Sequence, residues 1–271
     1  MKERQRGKSL IIVGFVAIAI LFLLYGRYQD PALFTPDSID TFLRIANAFY
    51  VILIVSFGAI TYGLYLYHKQ KAETNKKGLL YIIAAVTWNT KSRKIFLVTF
   101  VIYGIFFSLV SGTLVYQPEL SFSYHYGVDI PSAQISPCCD VPGYMPEILV
   151  YLTDNVGLQI IPINLVLQVI VSYLVGLNMS IAVSAITISK KKRGISTVGA
   201  VAGLFVACPT CAGSFLSIFV GTASGIALTI ALTQMQTFFI AISIPVLLVT
   251  PFILARKLQN PDGSCAIKTT D

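Results

Sequence analysis

Six apolar stretches alternate with polar linkers along the chain, and this alternation is its dominant pattern. Five of them have the length that a bilayer requires, since a hydrocarbon core of about 30 Å takes about 20 helical residues. The other stretch is longer and carries polar residues. The stretches cover residues 9–26, 43–67, 95–116, 158–189, 195–219 and 237–255. The pattern predicts an all-α polytopic membrane protein, with about six transmembrane helices in a single integral membrane domain over residues 1–271.

Two other segments are more than plain connections. Residues 78–88, GLLYIIAAVTW, form an apolar run that is too short to span, so we expect an interfacial helix there. Residues 117–157 form a long polar segment that contains several prolines and tyrosines. A connection of this length is typical of a functional element. We therefore expect a small folded unit between the third and fourth helices, here called the cap.

The distribution of charge predicts how these helices are oriented. Hydrophobic residues make up 55% of the chain and charged residues only 12%, whereas soluble domains carry about 25% charged residues. All but two of the 20 Lys and Arg residues fall at the termini and in alternate linkers, the exceptions being Arg27 and Arg44. By the positive-inside rule, both termini are cytoplasmic and the cap lies outside the cell membrane. The basic charge thus indicates a lipid bilayer as the partner and not a nucleic acid.

The fourth apolar stretch carries a stripe of polar side chains. Asn164, Gln168 and Ser172 follow one another at intervals of four residues, so they share one face of a helix. Lipid penalises such a face, which must therefore contact protein or line a cavity. The stripe predicts either hydrogen bonds between helices or a binding surface for a polar ligand, and a quinone is the cofactor that we consider.

The fifth stretch contains a Cys-x-x-Cys motif. Cys208 and Cys211 lie in VACPTCAG, residues 206–213, with Pro209 between them. The spacing places both sulfurs on one helix face, and proline at this position kinks or restarts the helix. Two cysteines at this spacing are typical of redox proteins. The alternative is that they serve only in packing, because buried cysteines behave as small hydrophobic residues.

A second pair of cysteines lies in the cap. Cys138 and Cys139 are adjacent in SPCCDVPGYMPE, residues 136–147, and we expect them to face an oxidising compartment. Three interpretations are open. The pair exchanges with a mobile thiol partner, it forms a structural disulfide, or it binds copper or zinc together with His125, since thiolates and imidazole suit these metals.

The motifs CPTC and PCC together resemble those of membrane thiol oxidoreductases of the vitamin K epoxide reductase type. This resemblance implies a helix-borne Cys-x-x-Cys beside a quinone and a second cysteine pair in an outer loop. The function that follows is a relay of electrons between Cys138/Cys139 and Cys208/Cys211, with an extracytoplasmic thiol protein as partner and a quinone as acceptor.

Two other functions use the same features. A copper transport or handling protein would receive the metal at Cys138, Cys139 and His125 and pass it to the embedded pair. A non-catalytic accessory subunit would pack into a larger membrane complex through small residues on its helices, such as Gly199 and Gly203.

Overall fold

The computed structural model describes residues 2–30, 32, 35–74, 78–139, 143–191 and 244–256, and these residues are mostly helical. The helices are α1 (Lys2–Gly26), α2 (Ile39–Thr74), α3 (Leu79–Trp88), α4 (Thr90–Val110), α5 (Phe122–Tyr126), α6 (Pro162–Lys191) and α7 (Ile244–Arg256).

Four segments of the described chain are long and apolar enough to cross a membrane. They are Arg6–Gly26, Pro36–Ala72, Thr90–Leu109 and Pro162–Ser184. These helices indicate membrane association and match the first four apolar stretches of the sequence. The stretch at 195–219 lies outside the described residues, and only the end of the stretch at 237–255 is described, as α7. The count of six spans and the cytoplasmic termini stay predictions.

The cap and the residues on either side of it form a β-sheet. The expectation of an all-α chain is therefore wrong, and the protein is mostly helical. Strands β1 (Leu114–Tyr116), β2 (Ser132–Ser136), β3 (Glu147–Tyr151) and β4 (Val156–Ile160) form an antiparallel sheet in the order β1-β4-β3-β2. Strand β1 and the last three residues of β4 lie within the stretches that the sequence pattern assigned to membrane helices, 95–116 and 158–189.

A glycine and a proline separate these strands from the neighbouring helices. Gly112 follows α4 with φ 73°, a left-handed conformation that ends helices. Pro162 is the first residue of α6, where its missing N–H costs no hydrogen bond. Helix therefore changes to strand within a few residues on both sides of the cap.

The chain divides into two compact units, of which the first comprises Met1–Tyr67 and Phe106–Val169. Within it, α1 and α2 approach each other through glycines. A Cβ atom added to Gly63 would lie 2.9 Å from the carbonyl oxygen of Gly7, and one added to Gly14 would lie 2.5 Å from Cγ1 of Ile60. Glycines thus let the two backbones come close, as small residues do between membrane helices.

The second unit comprises His68–Ile105 and Ile170–Asp271. Its core joins α3, α6 and α7 through buried side chains that include Ile82, Val86, Ile181 and Leu254. All residues from 82 to 86 are buried, so the short helix expected at 78–88 is present and contributes to this core.

A side chain of α6 compensates for a proline of α7 within the second unit. Pro251 has no N–H, so it cannot donate to the carbonyl of Leu247, its partner in a regular helix. The Nδ2 atom of Asn178 donates to that carbonyl oxygen at 3.0 Å, and Asn178 is only 1% exposed. The amide therefore satisfies a backbone acceptor on a residue, Leu247, that is itself buried.

Candidate functional site

The cysteine pair of the cap follows directly after strand β2. Ser136 ends the strand, and the structure joins Cys138 to Cys139 by a disulfide between adjacent residues. Cys139 is exposed, whereas Cys138 is half-buried. Cys139 is thus the more exposed residue of the pair.

Two tyrosines on α1 and α2 hold the chain on both sides of the disulfide. The hydroxyl of Tyr25 donates to the carbonyl oxygen of Pro137 at 2.7 Å. The hydroxyl of Tyr50 lies 2.6 Å from the carbonyl oxygen of Pro146 and 3.1 Å from that of Ile160. Because backbone carbonyls on both sides are fixed, the disulfide sits on a supported segment.

An aromatic cluster supports these tyrosines. The ring of Phe49 is 1% exposed and makes edge-to-face contacts with Phe22, Tyr25 and Tyr50, at centroid distances of 5.4, 5.1 and 5.6 Å. Such contacts restrict the rings and hold the hydroxyls in position. The pattern of apolar stretches does not distinguish these residues from their neighbours. A signal was present, since a tyrosine within an apolar run needs a partner for its hydroxyl.

The cap carries five acidic residues and neither Lys nor Arg. Residues 117–157 contain no Lys or Arg, and their acids are Glu119, Asp129, Asp140, Glu147 and Asp154. Glu147 faces Ser136 in the register of β3 and β2, and its Oε2 accepts a hydrogen bond from Nε2 of Gln159 at 2.9 Å. One carboxylate is therefore held beside the end of the strand that leads to the disulfide.

Asp154 joins the turn between β3 and β4 to the start of α5. Its Oδ1 accepts hydrogen bonds from the hydroxyls of Ser123 and Ser121, and its carbonyl oxygen accepts one from the N–H of Phe122. The serine hydroxyls lower the pKa of this carboxyl below its ordinary value of 3.8, since they stabilise the charged form.

We expect the contact of α5 with this turn to weaken in acid. A lowered pKa in the folded state means that the contribution of Asp154 is present above about pH 4 and is lost as the pH falls through the folded value. Hydrogen exchange at Phe122, corrected for intrinsic rates, should therefore accelerate in acid in the wild type. The Asp154→Asn variant should show little of this dependence, whereas Asp129→Asn, at an exposed carboxylate of the same cap, should behave as the wild type. Equal profiles for the wild type and Asp154→Asn would contradict the assignment.

The polar stripe of α6 makes at least one contact between helices. Nε2 of Gln168 donates to Oγ of Ser108 on α4 at 2.7 Å, and Asn164 is half-buried. Ser172 is 1% exposed, and its Oγ has no hydrogen-bond partner within the described part of the chain. Gln168 therefore supports the interpretation of the stripe as a packing contact between helices. Ser172 instead supports the interpretation of the stripe as a binding surface, since its buried hydroxyl has no partner among the described residues.

The embedded pair Cys208 and Cys211 lies outside the described residues. His125 is exposed on α5, with its ring 4.8 Å from that of Tyr126. Across the ranges that the structure describes, no group of three or more His, Cys, Asp or Glu side chains is placed to hold a metal ion. His125 and the cysteine pair thus do not form such a group.

Comparison of this chain with models of protein families, with curated proteins and with solved structures finds no match.

Proposed function

We propose that this protein is a membrane thiol–disulfide oxidoreductase and that Cys138 and Cys139 form its outer exchange site. The observation that carries the proposal is the disulfide between adjacent residues, of which Cys139 is exposed. A disulfide stabilises a fold mainly by closing a loop of chain, and adjacent cysteines close almost none. Exposed disulfides are the ones that exchange readily, so exchange explains the pair better than a structural role does.

The exchange proceeds through a mixed disulfide. A thiolate of the partner attacks Sγ of Cys139, the bond between the two sulfurs breaks, and Cys138 leaves as a thiolate. The partner's second thiolate then attacks the mixed disulfide and releases Cys139. The partner gains a disulfide, and the cap pair gains two electrons and two protons.

Reoxidation of the cap pair requires an acceptor, for which we propose Cys208 and Cys211. Their disulfide would take the two electrons and two protons, and a membrane quinone would regenerate it by becoming a quinol. The hydroxyl of Ser172 is a buried donor on α6 that suits a quinone oxygen. In this proposal both termini are cytoplasmic and the cap lies outside the cell membrane, as the distribution of Lys and Arg favours.

The proposal predicts which cysteines a maleimide modifies in isolated membranes. Cys138 and Cys139 should be protected until dithiothreitol is added and protected again after a quinone is supplied. In Cys138→Ser the thiolate of Cys139 can attack the disulfide of an oxidised partner, and the mixed disulfide should accumulate because no Cys138 thiolate is present to resolve it. Oxidation of dithiols should fall by at least about 100-fold, because the variant cannot form the cap disulfide that accepts the electrons. Cys265 is the fifth cysteine of the chain and belongs to neither pair, so Cys265→Ser is the control and should behave as the wild type.

Other results would contradict the proposal in distinct ways. Cap cysteines that are reduced and that Cu(I) protects from the maleimide would indicate a copper-handling protein. Cysteines whose replacement changes neither dithiol oxidation nor mixed-disulfide formation would indicate an accessory subunit.

A further inference from the structure

Strand β2 is an edge strand of the cap sheet. Of the described strands, β3 alone pairs with it, through the register from Ser132 opposite Tyr151 to Ser136 opposite Glu147. Ala133 and Gln134 at its centre are exposed. An edge strand presents unpaired N–H and C=O groups, which an extended segment of another chain can pair with by strand addition.

This edge leads to Cys139, the exposed residue of the proposed exchange site. Cys139 follows Ser136 by three positions, so a strand paired along β2 needs to extend only about 10 Å further to reach it. The same main-chain pairing that binds such a segment would therefore align its cysteine with Cys139.

The acidic residues around β2 favour a paired segment that carries positive charge. Asp129 is exposed three positions before the strand, and Glu147 faces its last residue. Since the cap holds no Lys or Arg, its field attracts cations and repels anions.

We infer that the edge of β2 that no described strand pairs with binds an extended, basic, cysteine-bearing segment of an extracytoplasmic protein by strand addition and presents its thiol to Cys139. This inference rests on the proposed function, and it adds how a substrate is recognised and which charge it carries.

Synthetic peptides of about seven residues, a length typical of strands, test the inference on the intact wild-type protein in lipid nanodiscs. One peptide alternates Lys and Thr around a single Cys, the second carries Glu in place of Lys, and the third is the Lys peptide N-methylated at each strand residue. The rate at which each peptide opens the cap disulfide, by forming a mixed disulfide with Cys139 and freeing the thiol of Cys138, is followed by alkylation of that thiol. It is divided by the rate of the same peptide with a small neutral disulfide, which removes differences in thiol reactivity.

The Lys peptide should react at least about tenfold faster than the Glu peptide at low salt, and high salt should reduce this ratio. N-methylation removes the donors that strand pairing needs and should slow the Lys peptide by about tenfold. Glu147→Gln should lower the ratio of Lys to Glu peptide, whereas Asp37→Asn, at an exposed carboxylate outside the cap, should leave it unchanged.

Two failures are distinguishable. If dithiothreitol reduces the cap disulfide but the three peptides react alike, strand addition and charge selection are wrong and the exchange site stands. If neither dithiothreitol nor any peptide reduces it, the proposed function is wrong, and this inference fails with it.

Discussion

Replacing Gly63 by alanine is expected to lower the free energy of unfolding by about 1–3 kcal/mol, the usual effect of inserting a methyl group into a close contact. The new Cβ would lie 2.9 Å from the carbonyl oxygen of Gly7, which belongs to the backbone of α1. A side chain could move away, but this carbonyl can move only with its helix. The measurement is reversible unfolding in mixed micelles, followed by circular dichroism.

The same helix offers a matched control in Gly58. A Cβ atom there would meet nothing within 4 Å, so Gly58→Ala should leave the stability unchanged or raise it by up to about 1 kcal/mol through helix propensity. Of the two alanine variants, only Gly63→Ala is therefore expected to lower the free energy of unfolding. Equal effects at Gly58 and Gly63 would show that α1 and α2 do not approach each other at Gly7.

The second large effect is expected at Asn178. Asn178→Leu removes the donor to the carbonyl of Leu247 and should cost about 1–2 kcal/mol, because a buried acceptor is left without a partner. Pro251→Ala restores an N–H at the position where a regular helix would supply it. The cost of Asn178→Leu should therefore be smaller by about 1 kcal/mol in the Pro251→Ala background.

A double-mutant cycle measures this coupling, and Ser180 provides its control. Ser180 is also buried on α6, and its hydroxyl donates to the carbonyl oxygen of Ser92 at 3.1 Å. Ser180→Ala should destabilise the protein, but its effect should add to that of Pro251→Ala without coupling. Coupling at Ser180 as large as at Asn178 would mean that Pro251→Ala disturbs the unit in a general way.

The membrane helices were predictable because apolar length alone specifies them. The stretch at 9–26 corresponds to the span Arg6–Gly26, and the stretch at 43–67 lies within Pro36–Ala72. A run of about 20 apolar residues has few alternatives to a helix that crosses a bilayer. The charged residues that flank the stretches also join the helices, so the predicted bounds are too short at these ends.

The strands of the cap could not be predicted in the same way. They are three to five residues long, and apolar content cannot distinguish a short buried strand from the end of a helix. Leu114–Tyr116 pair with Val156–Leu158 across the sheet, and such pairing between distant segments leaves no local pattern. Gly112 and Pro162 were the available signals for the two boundaries.

The cysteine pair of the candidate site is visible in the sequence, but its surroundings are not. Neither the exposure of the two residues nor the groups that contact them follow from their spacing, and their reactivity stays a prediction. The hydrogen bonds of Tyr25 and Tyr50 join residues about 100 positions apart, so only the folded chain reveals them. The sequence pattern also treated the stripe of α6 as a unit. In the structure, Gln168 donates a hydrogen bond to Ser108, whereas the hydroxyl of Ser172 has no partner among the described residues.

The short connections at the base of the cap restrict where the chain can change in length. Residues 111–113 join α4 to β1, and Ile161 alone separates β4 from α6. One residue inserted at the start of α6 would turn the face of that helix by about 100° relative to the strand that precedes it. Insertions are tolerated far more easily at 127–131, an irregular segment between α5 and β2. An epitope or a fluorescent label for locating the cap should therefore be placed there, where it does not rotate the faces of α6 relative to strand β4.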